Sequence, residues 1–187
     1  MLSAIVTLMA EIVIHTDGGC SGNPGPGGWA YVMRYEDRVK EDSGSTPLTT
    51  NNRMELQAVI EALTFIHNRR KAVLEKLTTS PTSPPQDPEW LKAGIKVFTN
   101  SQYVRNGVTT WISMWKAKGW KTADRKPVKN QDLWMTLDEL SSDLAPEYYW
   151  VEGHAGVPDN ERCDLLVREA TAAAKWDQRG SNPRPTA

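Results

Sequence analysis

Residues 95–107 read IKVFTNSQYVRNG. Ile95, Val97 and Thr99 alternate with Lys96 and Phe98, a period of two that predicts a strand. Asn100-Ser101-Gln102 then turns the chain into a short helix through Val104. Upstream, EIVIHTDGG (11–19) places Ile12, Ile14 and Thr16 on one face and Val13, His15 and Asp17 on the other, so a first strand is predicted to end at Asp17. WAYVMRYE (29–36) and RVKEDSGS (38–45) read as second and third strands of an antiparallel meander. TTNNRMELQAVIEALTFIHNRR (49–70) is helical, with Leu56, Val59, Ile60, Leu63 and Ile66 as one stripe and Asn51 or Asn52 as cap. A strand at 95–99 that follows this helix can return beside the first strand and parallel to it. Strands that begin as a meander and then alternate with helices predict an α/β layer with a mixed sheet.

The rest of the chain extends this pattern. CSGNPGPGG (20–28) holds four glycines and two prolines and reads as an irregular loop. A helix is predicted around NQDLWMTLDELSSDL (130–144), a last strand at YYWVEG (148–153) and a last helix at PDNERCDLLVREATAAAKW (158–176). The proline-rich segment within 71–94 reads as an exposed insert loop, and 177–187 as a disordered tail. A single domain over 1–176 follows, since 187 residues bury one sizeable core. The apolar opening MLSAIVTLMA has no basic residue and is too short to span a bilayer, so it reads as a leader into the first strand. Cys20 and Cys163 have no metal-ligand spacing and read as reduced thiols of a cytoplasmic protein.

Net charge is −1, yet Lys116, Lys118, Lys121, Arg125, Lys126 and Lys129 face a single acid, Asp124, within one short stretch. Trp111, Trp115 and Trp120 lie in or beside it. Cations interleaved with aromatic rings suit a nucleic acid held by its phosphates and by stacking.

The predicted crossover puts Asp17 and Asn100 at neighbouring carboxyl ends of parallel strands, where open α/β sheets bind ligands. Glu55 on the first long helix and Asp164 on the last can reach the same rim. Three acids converging there repel one another unless a cation is present. Oxygen ligands without cysteine or paired histidine favour Mg²⁺ or Mn²⁺. Two such ions suit phosphodiester cleavage. His154, in the glycine-flanked loop EGHAGVPDNER (152–162), is placed to shuttle protons, whereas His15 and His67 read as structural.

With these residues in hand, the chain resembles the type 1 ribonuclease H family of the bacterial kind. The motifs TDGGCSGNPGPGGWA (16–30), TTNNRMEL (49–56), TNSQYV (99–104), WISMWKAKGWKTADRKPVKNQDLW (111–134) and VEGHAGVPDNERCD (151–164) occur in family order. The resemblance implies a ribonuclease H-like fold: a five-stranded mixed sheet flanked by helices, with a basic protrusion. It implies cleavage of the RNA strand of RNA/DNA hybrids by a monomer, using two Mg²⁺ ions held on Asp17, Glu55, position 100 and Asp164, with His154 assisting. It also implies that Trp111 and Trp115 lie against deoxyriboses and that Lys116, Lys118, Lys121 and Lys129 meet phosphates. Thr50 would help hold a DNA phosphate, and Cys20, Asn23, Asn51, Asn52 and Gln102 would contact the hybrid. A wide minor groove displaying 2′-hydroxyls suits such short polar side chains.

One position departs from the family: Asn100 stands where the motif carries Asp. The amide is nearly isosteric with a carboxylate but uncharged, and one end is a donor that a cation repels. An inactivating substitution, of the kind made to trap uncleaved substrate, is the preferred reading, ahead of a natural pseudoenzyme or a weakly active natural variant. The rival functions are a catalytically silent hybrid-binding module and another nuclease of the same fold, such as an integrase or resolvase. The tryptophan and lysine segment argues against the last.

Overall fold

The computed structural model describes residues 10–79 and 88–180. Five strands, β1 (Glu11–Cys20), β2 (Gly25–Tyr35), β3 (Arg38–Thr49), β4 (Gly94–Thr99) and β5 (Glu147–Trp150), form one sheet in the order β3-β2-β1-β4-β5. The β1–β2 and β2–β3 pairs are antiparallel, while β1–β4 and β4–β5 are parallel. This is the five-stranded mixed sheet of a ribonuclease H-like fold, and it places Thr16 opposite Thr99. Asp17 and Asn100 therefore emerge side by side.

Helix α1 (Asn51–Thr79) covers one face. Its stripe of Leu56, Val59, Ile60, Leu63 and Ile66 is buried with Ile12, Ile14, Ile95 and Val97 of the sheet. Helix α6 (Pro158–Gly180) covers the other face, where Cys163, Val167 and Ala174 are buried. Between β4 and β5 lie α3 (Gln102–Asn106), a π-helical turn (Gly107–Trp111), α4 (Ile112–Ala117) and α5 (Gln131–Leu144). Trp134 of α5 is fully buried, and its indole donates to the Tyr103 hydroxyl.

Three segments differ from expectation. The glycine-rich stretch is irregular only over 21–24, because Gly25–Gly28 already belongs to β2, with Gly27 and Gly28 opposite Cys20 and Gly19. The cause is a close crossing: a Cβ on Gly28 would stand 2.9 Å from the Ala170 Cβ and the Val167 carbonyl of α6. Glycine here is a strand residue whose missing side chain admits a helix. The segment 71–94 opens as helix, not loop. Residues 71–79 contain neither glycine nor proline and extend α1 to Thr79. Residues 80–87 lie outside the described residues. The segment re-enters as the short helix α2 (Pro88–Lys92), with Trp90 buried and Arg70 donating to the Ala93 carbonyl at 2.7 Å. Finally, α6 carries on through Gly180, taking in the first four residues of the segment read as a disordered tail. Residues 181–187 and the opening leader, 1–9, lie outside the described residues. No helix among the described residues is long and apolar enough to cross a membrane, and both cysteines are free thiols.

Candidate active site

Asp17 projects from β1 on the face that α6 covers, because side chains alternate along a strand. The neighbouring Gly19 faces Val167 of α6, whereas Gly18 faces Met54 of α1. One Asp17 carboxylate oxygen accepts from the Gly18 amide at 2.8 Å. Burial pushes this carboxyl up to about 6. The Gly18 amide and a hydrogen bond from the Asn100 side chain oppose that rise, and the charges of Asp164 and Glu55 add to it.

Glu55 stands at the start of α1. Burial raises its pKa too, against hydrogen bonds from Ser101 and Asn51. Asn51 Nδ2 donates to one carboxylate oxygen at 2.8 Å, and the Ser101 hydroxyl donates to the other. Ser101 also caps α3 by accepting from the Val104 amide at 3.1 Å, so one hydroxyl ties the end of β4 to the Glu55 carboxylate. Asp164 comes from the first turns of α6 and is paired with Arg168, one turn on, at 2.8 Å. The Asn100 carbonyl accepts from the Trp150 indole at 3.1 Å, and Gly153 of the following loop lies beside its amide. His154 is 77% exposed with φ of +57°, and its Nδ1 lies 3.9 Å from Glu161. His154, Glu161 and Asp164 offer ligand atoms within 4.8 Å of one another.

Asp17, Cys20, Asn51, Glu55, Asn100, His154 and Asp164 therefore share one cleft of about 630 Å³. Asn23 is outside the cleft's lining, in the 21–24 loop, where the Cys20 thiol donates to the Gly22 carbonyl. Thr50 precedes α1 with its hydroxyl buried and unpartnered among the described residues. Asn52 is half-buried in the first turn of α1, and Gln102 is exposed at the start of α3.

The remaining nucleic-acid candidates lie outside the cleft. Trp111 and Trp115 are half-buried, with ring centroids 5.7 Å apart, and Trp115 packs on Trp134. Packing thus accounts for part of what the tryptophan spacing suggested. Lys116 pairs with Asp138 at 2.9 Å. Lys118 and Lys121 line a separate exposed hollow with Arg125, and Lys129 is exposed.

Sequence reasoning missed Ser101, Glu161 and Arg168. Glu161 and Arg168 stand three residues before and four after Asp164, the helical spacings that share its face. That was a legible signal. Ser101 follows Asn100 directly, but its link to Glu55 spans 46 positions and depends on the fold.

A raised acid pKa makes a testable claim about stability. With a folded pKa of about 6 against an ordinary 3.8, folded Asp17 holds its proton over a range where the unfolded chain has lost it. The metal-free protein therefore loses stability from this group as pH rises from about 4 to 6, on the order of 3 kcal/mol in total. In urea unfolding with EDTA, Asp17→Asn should be the more stable chain at pH 7 and equal to the parent near pH 4. A pH-independent difference between the two would refute the claim.

A mixed sheet whose central parallel pair opens onto an acid-lined cleft defines an α/β protein with a candidate hard-cation site at the carboxyl ends of its strands. The RNase H family profile matches residues 9–172. The ribonuclease H of Maricaulis maris is 45% identical over 170 residues, covering 91% of this chain and 99% of that protein. The ribonuclease H of Treponema denticola is 49% identical over 163 residues, covering 86% and 96%. Among solved structures, LC9-RNase H1, a type 1 RNase H with the type 2 active-site motif, superposes with a TM-score of 0.66 at 26% identity, over 89% of this chain and 74% of that one. LC11-RNase H1, solved in complex with an RNA/DNA hybrid, shares the fold at 24% identity and a TM-score of 0.54, over 88% of this chain and 99% of that one. The chain belongs to the ribonuclease H family.

Proposed function

We propose that this chain binds RNA/DNA hybrids in a site organised to hydrolyse the RNA strand with two divalent ions, and that Asn100 leaves it with little activity. One observation carries the reading: Asp17, Glu55 and Asp164 converge in a single cleft, where burial and mutual repulsion push the Asp17 carboxyl up to about 6. Carboxylates held together against their own repulsion fit a hard cation with oxygen ligands, Mg²⁺ or Mn²⁺. Asp17, Glu55 and Asp164 would hold the ions, with position 100 supplying an amide instead of a fourth charge. Bound there, the ions would polarise the scissile phosphate and stabilise the charge that develops on it.

The chain's own groups do the rest. The Asn51 and Ser101 hydrogen bonds orient Glu55 before any substrate arrives. His154, exposed on its loop, is free of the packed core and can carry a proton between the cleft and water. Cys20, Asn23, Asn51, Asn52 and Gln102 supply the short polar contacts that tell a 2′-hydroxyl strand from DNA. The Trp111, Trp115 and lysine segment grips the DNA strand through phosphates and sugars.

Fluorescence anisotropy of matched hybrid, DNA and RNA duplexes in Mg²⁺ tests the reading. The expected result is preferential binding of the hybrid, with little cleavage on gels. Equal binding of duplex DNA would reject it. The second reading, a silent hybrid-binding module, is favoured by the uncharged amide of Asn100, whose hydrogen bonding helps keep Asp17 ionised without adding a fourth anionic ligand.

A further inference from the structure

The cleft does not stop at the acids. Beyond Asp164 it continues between α6 and the turn at Gly19, Cys20 and Ser21. Its α6 wall carries Arg168, Thr171, Ala172 and Lys175. Those positions are spaced three, four and seven residues apart and so share one helix face. At 1.5 Å per residue, Arg168 and Lys175 stand about 10.5 Å apart along the axis. Arg168 is 67% exposed and held at 2.8 Å by Asp164, the acid from which the cationic wall begins.

We propose that the Arg168–Thr171–Lys175 ridge of α6 is the subsite for the phosphodiester backbone of the cleaved strand beyond the scissile phosphate, with Arg168 passing from Asp164 to a phosphate when that strand binds. The proposal rests on the hybrid reading above. Divalent ions on the acids would offset charge at the scissile phosphate alone, so the phosphates beyond it still call for cations along the same wall. The lysines at 116–129 lie outside this cleft and cannot supply them. A guanidinium suits the exchange, because its planar fork pairs with carboxylate and phosphate oxygens alike. The cleaved strand, not its complement, is assigned to the ridge because the ridge is continuous with Asp164.

The test is anisotropy of the full chain and of Arg168→Gln/Lys175→Gln on RNA/DNA hybrids in Mg²⁺. Neutral methylphosphonate linkages, two or three at a time, are walked along either strand. On the unmodified hybrid the double variant should bind on the order of tenfold more weakly, and its salt dependence should be shallower by about 0.9 for each phosphate it no longer neutralises. One window on the RNA strand should abolish the difference between the two proteins, whereas no window on the DNA strand should. The charge-preserving pair Arg168→Lys/Lys175→Arg should recover most of the affinity, which separates lost charge from lost folding. A double variant that binds like the parent overturns the proposal, and so does an affinity difference that survives every RNA-strand window. A parent that does not prefer the hybrid removes the underlying reading and the ridge with it, and that failure appears before any substitution is made.

Discussion

Asn100→Asp should raise the rate of RNA-strand cleavage in Mg²⁺ on the order of 10²–10³-fold or more. The backbone at position 100 is already in place, since β4 runs parallel to β1 and delivers the residue beside Asp17. The Trp150 indole holds its carbonyl and Gly153 flanks its side chain. Only the terminal group is at issue. The amide donates to Asp17 and helps lower a pKa that burial has raised, so it stabilises the ionised acid without attracting a cation. A carboxylate would reverse both effects. Like-charge repulsion would push Asp17 further up in the absence of metal, and a fourth anionic ligand would favour ion binding. The substitution should therefore strengthen Mg²⁺ binding in calorimetric titration and lower metal-free stability at pH 7, both independently of turnover. Cleavage by the aspartate form alone identifies a ribonuclease H disabled at one atom pair. Absence of cleavage by either form leaves a hybrid-binding protein.

Much of the architecture was legible because period and position agree with tertiary need. The two-residue alternation of Ile12, Ile14 and Thr16 marks residues that are fully buried, and the α1 stripe is the core face. Composition misled where geometry overruled it. Gly25, Gly27 and Gly28 signal a loop by propensity, yet each is a strand residue with no room for a side chain: Gly28 lies against α6, Gly27 against Thr49, Met54 and the Gly19 carbonyl, and Gly25 against the Ser21 carbonyl. Prolines at 81, 84 and 85 drew the insert too wide, although nothing before them in 71–79 breaks a helix. The acids were readable as a set only through topology, since each alone is an ordinary helix-start or strand-end carboxylate. Arg168 and Ser101 escaped because their importance lies in what they neutralise or orient, a property of pairs that only the folded chain brings together.

Gly18→Ala should destabilise the protein by about 3 kcal/mol, lowering Tm by about 6–12 °C. A Cβ at this position would stand 2.2 Å from the Met54 carbonyl carbon, 2.3 Å from the Glu55 amide nitrogen and 2.5 Å from the Met54 oxygen. All three are backbone atoms in the first turns of α1, so no rotamer change relieves the clash. Either β1 or the start of α1 must move by the better part of an ångström. Gly18 follows Asp17, and the atoms it touches carry Glu55. The forced separation therefore opens the distance between two of the three acids. A displacement near 1 Å commonly costs on the order of 10²-fold in rate, so Gly18→Ala placed in the Asn100→Asp background should lose most of the restored cleavage even well below its Tm. Gly94→Ala is the control, because a Cβ there meets nothing within 4 Å and should leave Tm and cleavage nearly unchanged. A Gly18→Ala chain within about 1 kcal/mol of its parent, and equally active in that background, would show that β1 and α1 are not locked together at this contact.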